Sequence, residues 1–288
     1  MINRLSATTC GKNLKNQHPE KASTEDSAFP CFELLTPQQN QRLLLFCDHA
    51  RNAIPPSYGD LGLSRESLER HIAYDIGAEG VTRGIAALTG AGAALAGFSR
   101  LLIDPNRGED DPTLVMRLSD GAIIPGNARI GRDEIGRRIE TYWRPYRRAC
   151  ETLVDGVVAG GLVPALVGIH SFTPCFKGAK RPWEVGILWD KDPRLAAPLI
   201  EALRSENLVV GDNEPYDGAL VGDSMYELST RRGLPGLLVE IRQDLLASTD
   251  QCERWAALLA RVLGPILGRE ETQRQQLFGS RADVRGAS

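Results

Sequence analysis

Four short polar islands hold the residue types that hydrolytic chemistry needs: Cys47-Asp48-His49, Asp104-Pro105-Asn106-Arg107, Ile169-His170-Ser171 and Val239-Glu240-Ile241-Arg242. Neutral imidazole is a common zinc ligand, and His49 and His170 are two of only four histidines. A catalytic zinc takes three protein ligands and leaves one position for water. Asp48 is the first choice for the third ligand, because a strand-to-loop turn can aim it and His49 at one ion. Asp75 is the alternative, and Asn52 is a poor one because an amide binds zinc weakly. Glu240 lies in an apolar strand and needs a reason to be there. It is either the ion-pair partner of Arg242, on the same side by strand alternation, or a general base beside an activated water. The fork of Arg107 suits a carboxylate, with a salt bridge to Glu109, Asp110 or Asp111 as the plainer reading. Arg100 and Arg181 are further candidates to bind substrate or polarise its carbonyl. Tyr216 closes a polar turn and faces either substrate or solvent. Together these residues point to metal-assisted hydrolysis of an anionic substrate.

Such residues work only if the fold brings them together. Each island closes an apolar run: Leu43-Leu44-Leu45-Phe46, Leu101-Leu102-Ile103, Ala165-Leu166-Val167-Gly168 and Leu237-Leu238-Val239. Buried strands ending in polar side chains are where an open α/β sheet places its site. The pattern predicts strands over 43–47, 94–104, 165–170, 184–190, 208–210 and 236–241. It predicts helices from Ser64 through Leu68, Ile72 and Ile76, from about 78 to Leu88, and over 133–159 with a kink near Pro145. Further helices are expected over 193–206 and 250–267. On the first of these helices His71 and Asp75 share a face, as an ion pair or with Asp75 orienting a metal-bound histidine. The alternation predicts one α/β domain, with a mainly parallel mixed sheet flanked by helices on both faces. It spans 37–268, between a mobile N-terminal tail (1–36) and a C-terminal tail (269–288).

Composition narrows the function further. Hydrophobic residues make up 42% of the 288, enough for a sizeable core, and the net charge of -3 is spread along the chain. No basic block marks a nucleic-acid surface, and no apolar run reaches the length of a membrane span. The start of the chain lacks the apolar stretch of a secretory signal, so a cytoplasmic protein is expected. The six cysteines form no Cys-x-x-Cys pair. There is no Gly-x-Ser-x-Gly elbow, phosphate loop or dinucleotide fingerprint.

The chain resembles the N-formylglutamate amidohydrolase family. The resemblance is carried in order by Phe46-Cys47-Asp48-His49-Ala50-Arg51-Asn52-Ala53-Ile54-Pro55, His71-Ile72-Ala73-Tyr74-Asp75-Ile76-Gly77-Ala78 and Ser99-Arg100-Leu101-Leu102-Ile103-Asp104-Pro105-Asn106-Arg107. Ile123-Ile124-Pro125-Gly126-Asn127, Ile169-His170-Ser171-Phe172-Thr173-Pro174, Gly211-Asp212-Asn213-Glu214-Pro215-Tyr216 and Glu240-Ile241-Arg242-Gln243-Asp244-Leu245 complete it. It implies a zinc-exopeptidase-like fold related to the zinc carboxypeptidases. It also implies one zinc on His49 and His170, Glu240 as base, and Asn106 and Arg107 on the substrate carboxylate. The implied reaction takes N-formylglutamate to formate and glutamate, a step of histidine degradation. Asp48 then completes the ligands, Arg100 stabilises the oxyanion, and Arg181 and Tyr216 line the substrate. The chain departs from the family pattern at Asp48, where Glu is common, and at Leu228-Ser229-Thr230-Arg231-Arg232-Gly233, where a His is frequent. Two other readings therefore stand beside the first: a carboxypeptidase or deacylase acting on another acylated acid, and a carboxylate-binding relative without catalysis.

Overall fold

Leu- and Ala-rich runs become central strands because neither of their faces offers anything to water. The computed structural model describes residues 29–38 and 42–283. Its main sheet has seven strands: β1 Phe32–Leu35, β2 Leu43–Cys47, β3 Gly92–Ala96, β4 Ala165–Phe172, β5 Val185–Leu188, β6 Val210–Asp212 and β7 Gly236–Arg242. Their spatial order is β1-β3-β2-β4-β7-β5-β6. The four strands β3, β2, β4 and β7 run parallel, and β5 pairs antiparallel with β7. β6 is parallel to β5, while β1 closes the other edge antiparallel to β3. This is the mixed, mostly parallel α/β sheet that the alternation predicts.

Alternation along β2 divides the core in two. Leu43 and Leu45 point to one face with Val167, Ile169 and Val239, under helices α1 Ala78–Thr89, α3 Pro193–Ser205 and α4 Thr249–Leu267. Leu44 and Phe46 point to the other with Leu166 and Leu238, under α2 Arg144–Ala159. The same register sets the site. Phe46 pairs with Gly168, and His170 pairs with Glu240. Two residues past Phe46, Asp48 therefore joins His170 and Glu240 in one row across three parallel strand ends.

Several expected elements differ. Leu101, Leu102 and Ile103 are fully buried but form no strand. They lie in a loop held by the bonds Leu102 N–H to Ser99 O and Asp104 N–H to Leu114 O. A short apolar run reports burial, not conformation. The helix expected from Ser64 to Ile76 is a single turn, Arg65–Leu68. Beyond it the backbone bonds outward instead, with Asp75 N–H donating to His49 O and Arg100 N–H to Ala73 O. His71 and Asp75 thus share no helix face, and His71 lies 3.4 Å from Asp120. The long helix over 133–159 contains a π-helical segment, Ile139–Trp143, just before Pro145. Such a bulge absorbs a proline that would otherwise break the ladder.

Phe32–Leu35, placed by the sequence in the N-terminal tail, is the edge strand β1; residues 1–28 lie outside the described residues. Part of the expected C-terminal tail packs on the domain, with Thr272 buried and Gln276 N–H donating to Gly233 O. Residues 284–288 lie outside the described residues. No described helix is long and apolar enough to cross a membrane.

Candidate metal centre

β2 ends at Cys47, and the chain turns out through Asp48 and His49. The backbone bond from Asp75 N–H to His49 O, 2.9 Å long, brings in the segment that precedes α1. Asp75 Oδ2 then lies 2.9 Å from His170 Nδ1 and 3.3 Å from His49 Nδ1. One ligand atom from each of His49, Asp75 and His170 can be chosen so that all lie within 4.8 Å of one another. All three residues are buried. Two imidazole nitrogens and one carboxylate oxygen this close together could hold a metal ion.

A second carboxylate backs each histidine. His49 Nε2 is 2.7 Å from Asp104 Oδ1, and His170 Nε2 is 3.4 Å from Asp48 Oδ2. A carboxylate on the outer nitrogen fixes the ring's orientation and, with a metal bound, would favour the tautomer that leaves Nδ1 free to ligate. Asp104 is itself clamped. Arg100 donates to its Oδ2 from Nη2 at 2.7 Å and from Nε at 3.1 Å, and Asn106 N–H donates to its Oδ1 at 2.9 Å. The third nitrogen of Arg100, Nη1, reaches toward the cluster, 3.4 Å from His49 Nδ1 and 3.7 Å from Asp75 Oδ1.

The charges reinforce one another. Burial alone would raise Asp75 and Asp104. The neighbouring His49 and His170 hold Asp75 below the usual carboxylate range, and Arg100 with His49 does so for Asp104. Burial likewise disfavours the His170 cation, but the bond to Asp75 and the nearby carboxylate of Asp48 outweigh it and raise the imidazole well above its ordinary value. Glu240 behaves in the opposite way. Desolvation pushes it up to about 7, against the pull of His170, and its buried Oε2 has no hydrogen-bond partner. An orphaned carboxylate oxygen beside a metal-competent cluster has the placement of a general base. Arg242, the other partner considered for Glu240, instead bonds Asp244 at 2.8 Å and the Trp183 carbonyl at 3.1 Å.

The remaining candidates flank this centre on two sides. On the Asp104 side, Asn106 Oδ1 accepts from Ser224 N–H at 3.0 Å, and Arg107 donates to Asn106 O and to Thr113 Oγ1. Of the acidic partners weighed for Arg107, Asp111 is 3.9 Å away, and Glu109 pairs with Arg144. Beyond Glu240, Arg181 lies over the rings of Phe176, Tyr216 and Phe172, at 4.9, 5.0 and 5.6 Å. Burial raises the Tyr216 hydroxyl, and the charge of Glu240 raises it further.

Asp48, first choice for the third ligand on sequence grounds, has Oδ1 engaged by the Tyr146 hydroxyl and the Ser224 hydroxyl, each at 2.8 Å. The carboxylate that converges with the two histidines is that of Asp75. The sequence placed Asp104 in one of the four polar islands without a role behind His49, and it gave no role to Tyr146 or Ser224. Tyr146 lies within the helix expected over 133–159, and Ser224 carried no signal.

A family model described as N-formylglutamate amidohydrolase matches residues 41–247. No curated protein matches the chain significantly. Among solved structures, a gene product of Agrobacterium tumefaciens is 32% identical, with a TM-score of 0.79 over 82% of this chain and 94% of its own. The N-formylglutamate amidohydrolase of Ralstonia eutropha JMP134, at 21% identity and a TM-score of 0.62, shares the fold over 82% of this chain and 97% of its own. The family match runs from β2 through β7 and so covers every residue of the centre. The chain belongs to the N-formylglutamate amidohydrolase family.

Proposed function

We propose that this protein is a metal-dependent amidohydrolase that cleaves an N-acylated amino acid, with N-formylglutamate, giving formate and glutamate, as its first substrate. The observation that carries this reading is the convergence of His49, Asp75 and His170 beside the unpartnered carboxylate of Glu240. We assign the third ligand to Asp75, because Asp48 has one oxygen committed to two hydroxyls. Zinc suits two imidazoles and a carboxylate, and when bound it supplies a Lewis acid that polarises the amide carbonyl and acidifies water. Glu240 takes a proton from the attacking water and returns it to the amine nitrogen as the C–N bond breaks. Arg100, reaching past Asp104 with Nη1, stabilises the oxyanion. Arg107, with Asn106 setting its loop, holds the substrate carboxylate, and Arg181 and Tyr216 bound the opposite end. Five described cysteines are free, in keeping with a reducing, cytoplasmic setting.

The aromatic wall of Phe172, Phe176 and Tyr216 favours one second reading, a deacylase for a bulkier N-acyl acid. A panel of N-formylglutamate, N-acetylglutamate, N-benzoylglutamate and glutamyl dipeptides, followed by amine release, separates the two. The first reading expects the highest kcat/KM on N-formylglutamate and loss of turnover with a chelator. Preference for the benzoyl compound would support the second reading. Carboxylate ligands that bind without turnover would overturn both.

A further inference from the structure

We propose that Tyr146 and Ser224 are positioning residues of the metal centre, acting through Asp48 to fix the orientation of His170. The inference rests on the metal reading above and extends it to two side chains that bond Asp48. Asp48 is fully buried. Its Oδ1 accepts both hydroxyls at 2.8 Å, so the plane of the carboxylate is set from outside the centre. Its Oδ2 has no hydrogen-bond partner and faces His170 Nε2, which also has none, across 3.4 Å. With Oδ1 saturated, the imidazole is the group left for Oδ2 to serve. A small closing movement of the ring makes this a charge-assisted bond, with Nε2 donating and Nδ1 turned to the metal point.

The comparison with His49 sharpens the assignment. Both histidines are backed by an aspartate, but Asp104 is gripped by a guanidinium and a backbone N–H, whereas Asp48 is gripped by two neutral hydroxyls. Those hydroxyls come from separate elements. Tyr146 lies on α2 after the π-helical segment, and Ser224 opens the helix Ser224–Leu228, whose N-cap is Asp223. Ser224 also donates its backbone N–H to Asn106 Oδ1, at 3.0 Å. It thereby joins the His170 side of the centre to the loop carrying Arg107. The two functions of Ser224 are chemically separable, since alanine removes the hydroxyl and keeps the N–H.

The test measures zinc affinity by competition with a chromophoric chelator for wild type, Tyr146→Phe, Ser224→Ala, the double variant and Ser224→Thr. The melting temperature of each protein in EDTA is recorded alongside. Each single hydroxyl deletion is expected to weaken zinc binding several-fold and the double variant about tenfold, the lower end of the range for a group that bonds a metal ligand directly. Ser224→Thr keeps a hydroxyl and should bind like wild type. At saturating zinc, Ser224→Ala should leave KM unchanged, because the bond to Asn106 survives. A double variant that binds zinc within about twofold of wild type, even with a lowered melting temperature in EDTA, would reduce these hydroxyls to packing and overturn the inference. Should Tyr146→Phe fail to fold, the Ser224 pair decides alone, and equal affinity in Ala and wild type overturns it. Wild type that takes up no zinc sinks the metal reading itself, whereas normal uptake by wild type with unaltered variants sinks only this proposal.

Discussion

Glu240 is a residue whose presence costs the fold. Its carboxyl is buried, one oxygen has no partner, and its pKa is pushed up to about 7. In the metal-free protein the folded state holds this proton more tightly than the unfolded chain does. Stability from this group is therefore fully present below the ordinary glutamate range and is lost as pH rises through about 7. Glu240→Gln removes that penalty. In EDTA the stability difference should shift in the variant's favour by roughly 3 kcal/mol between pH 4 and pH 8, read by denaturant unfolding. The same substitution should lower kcat by about 10²–10⁴ while zinc content stays at the wild-type level. Turnover near wild type would remove Glu240 as the base. His49, His170 and Glu240 were legible in the sequence because each ends an apolar run, where a polar group needs a reason. Asp75 was legible only as one option, since it sits in a segment that reads as a helix. Tyr146 and Ser224 were not legible, because a pairing across 98 or 176 residues leaves no local pattern.

The parallel strands β2, β4 and β7 fix the row Asp48–His170–Glu240 by register, and the turn before α1 delivers Asp75 into it. That turn depends on Gly77, the N-cap of α1 at φ +81°. A Cβ there would lie 2.5 Å from Leu246 Cβ, on the segment just before α4. Gly77→Ala is therefore strained in backbone and in packing together. It should cost about 1–3 kcal/mol in denaturant unfolding and lower zinc retention, since Asp75 is two residues away. Unchanged stability with full metal content would show that Asp75 does not depend on this turn. The central strands and the four long helices were readable from period and breakers. The loop at Leu101–Ile103 and the turns at Arg70–Ile76 were not, because tertiary hydrogen bonds override an apolar or helical pattern.

Across the whole molecule the charge balance points the same way. Asp48, Asp75, Asp104 and Glu240 crowd one buried region, with Arg100 interleaved among them and His170 between Asp48 and Asp75. A divalent ion relieves this excess, and an ion that binds only the folded chain raises its stability by mass action. Excess zinc should therefore raise the melting temperature of wild type and have little effect on Asp75→Ala. The measurement that tests the account most directly is metal content by elemental analysis together with formate release, on wild type, Asp75→Ala and His170→Ala. About one divalent ion per wild-type chain is expected, with little in either variant and turnover that follows the metal. Wild type that neither retains nor rebinds metal, yet cleaves N-formylglutamate undiminished in chelator, would contradict it.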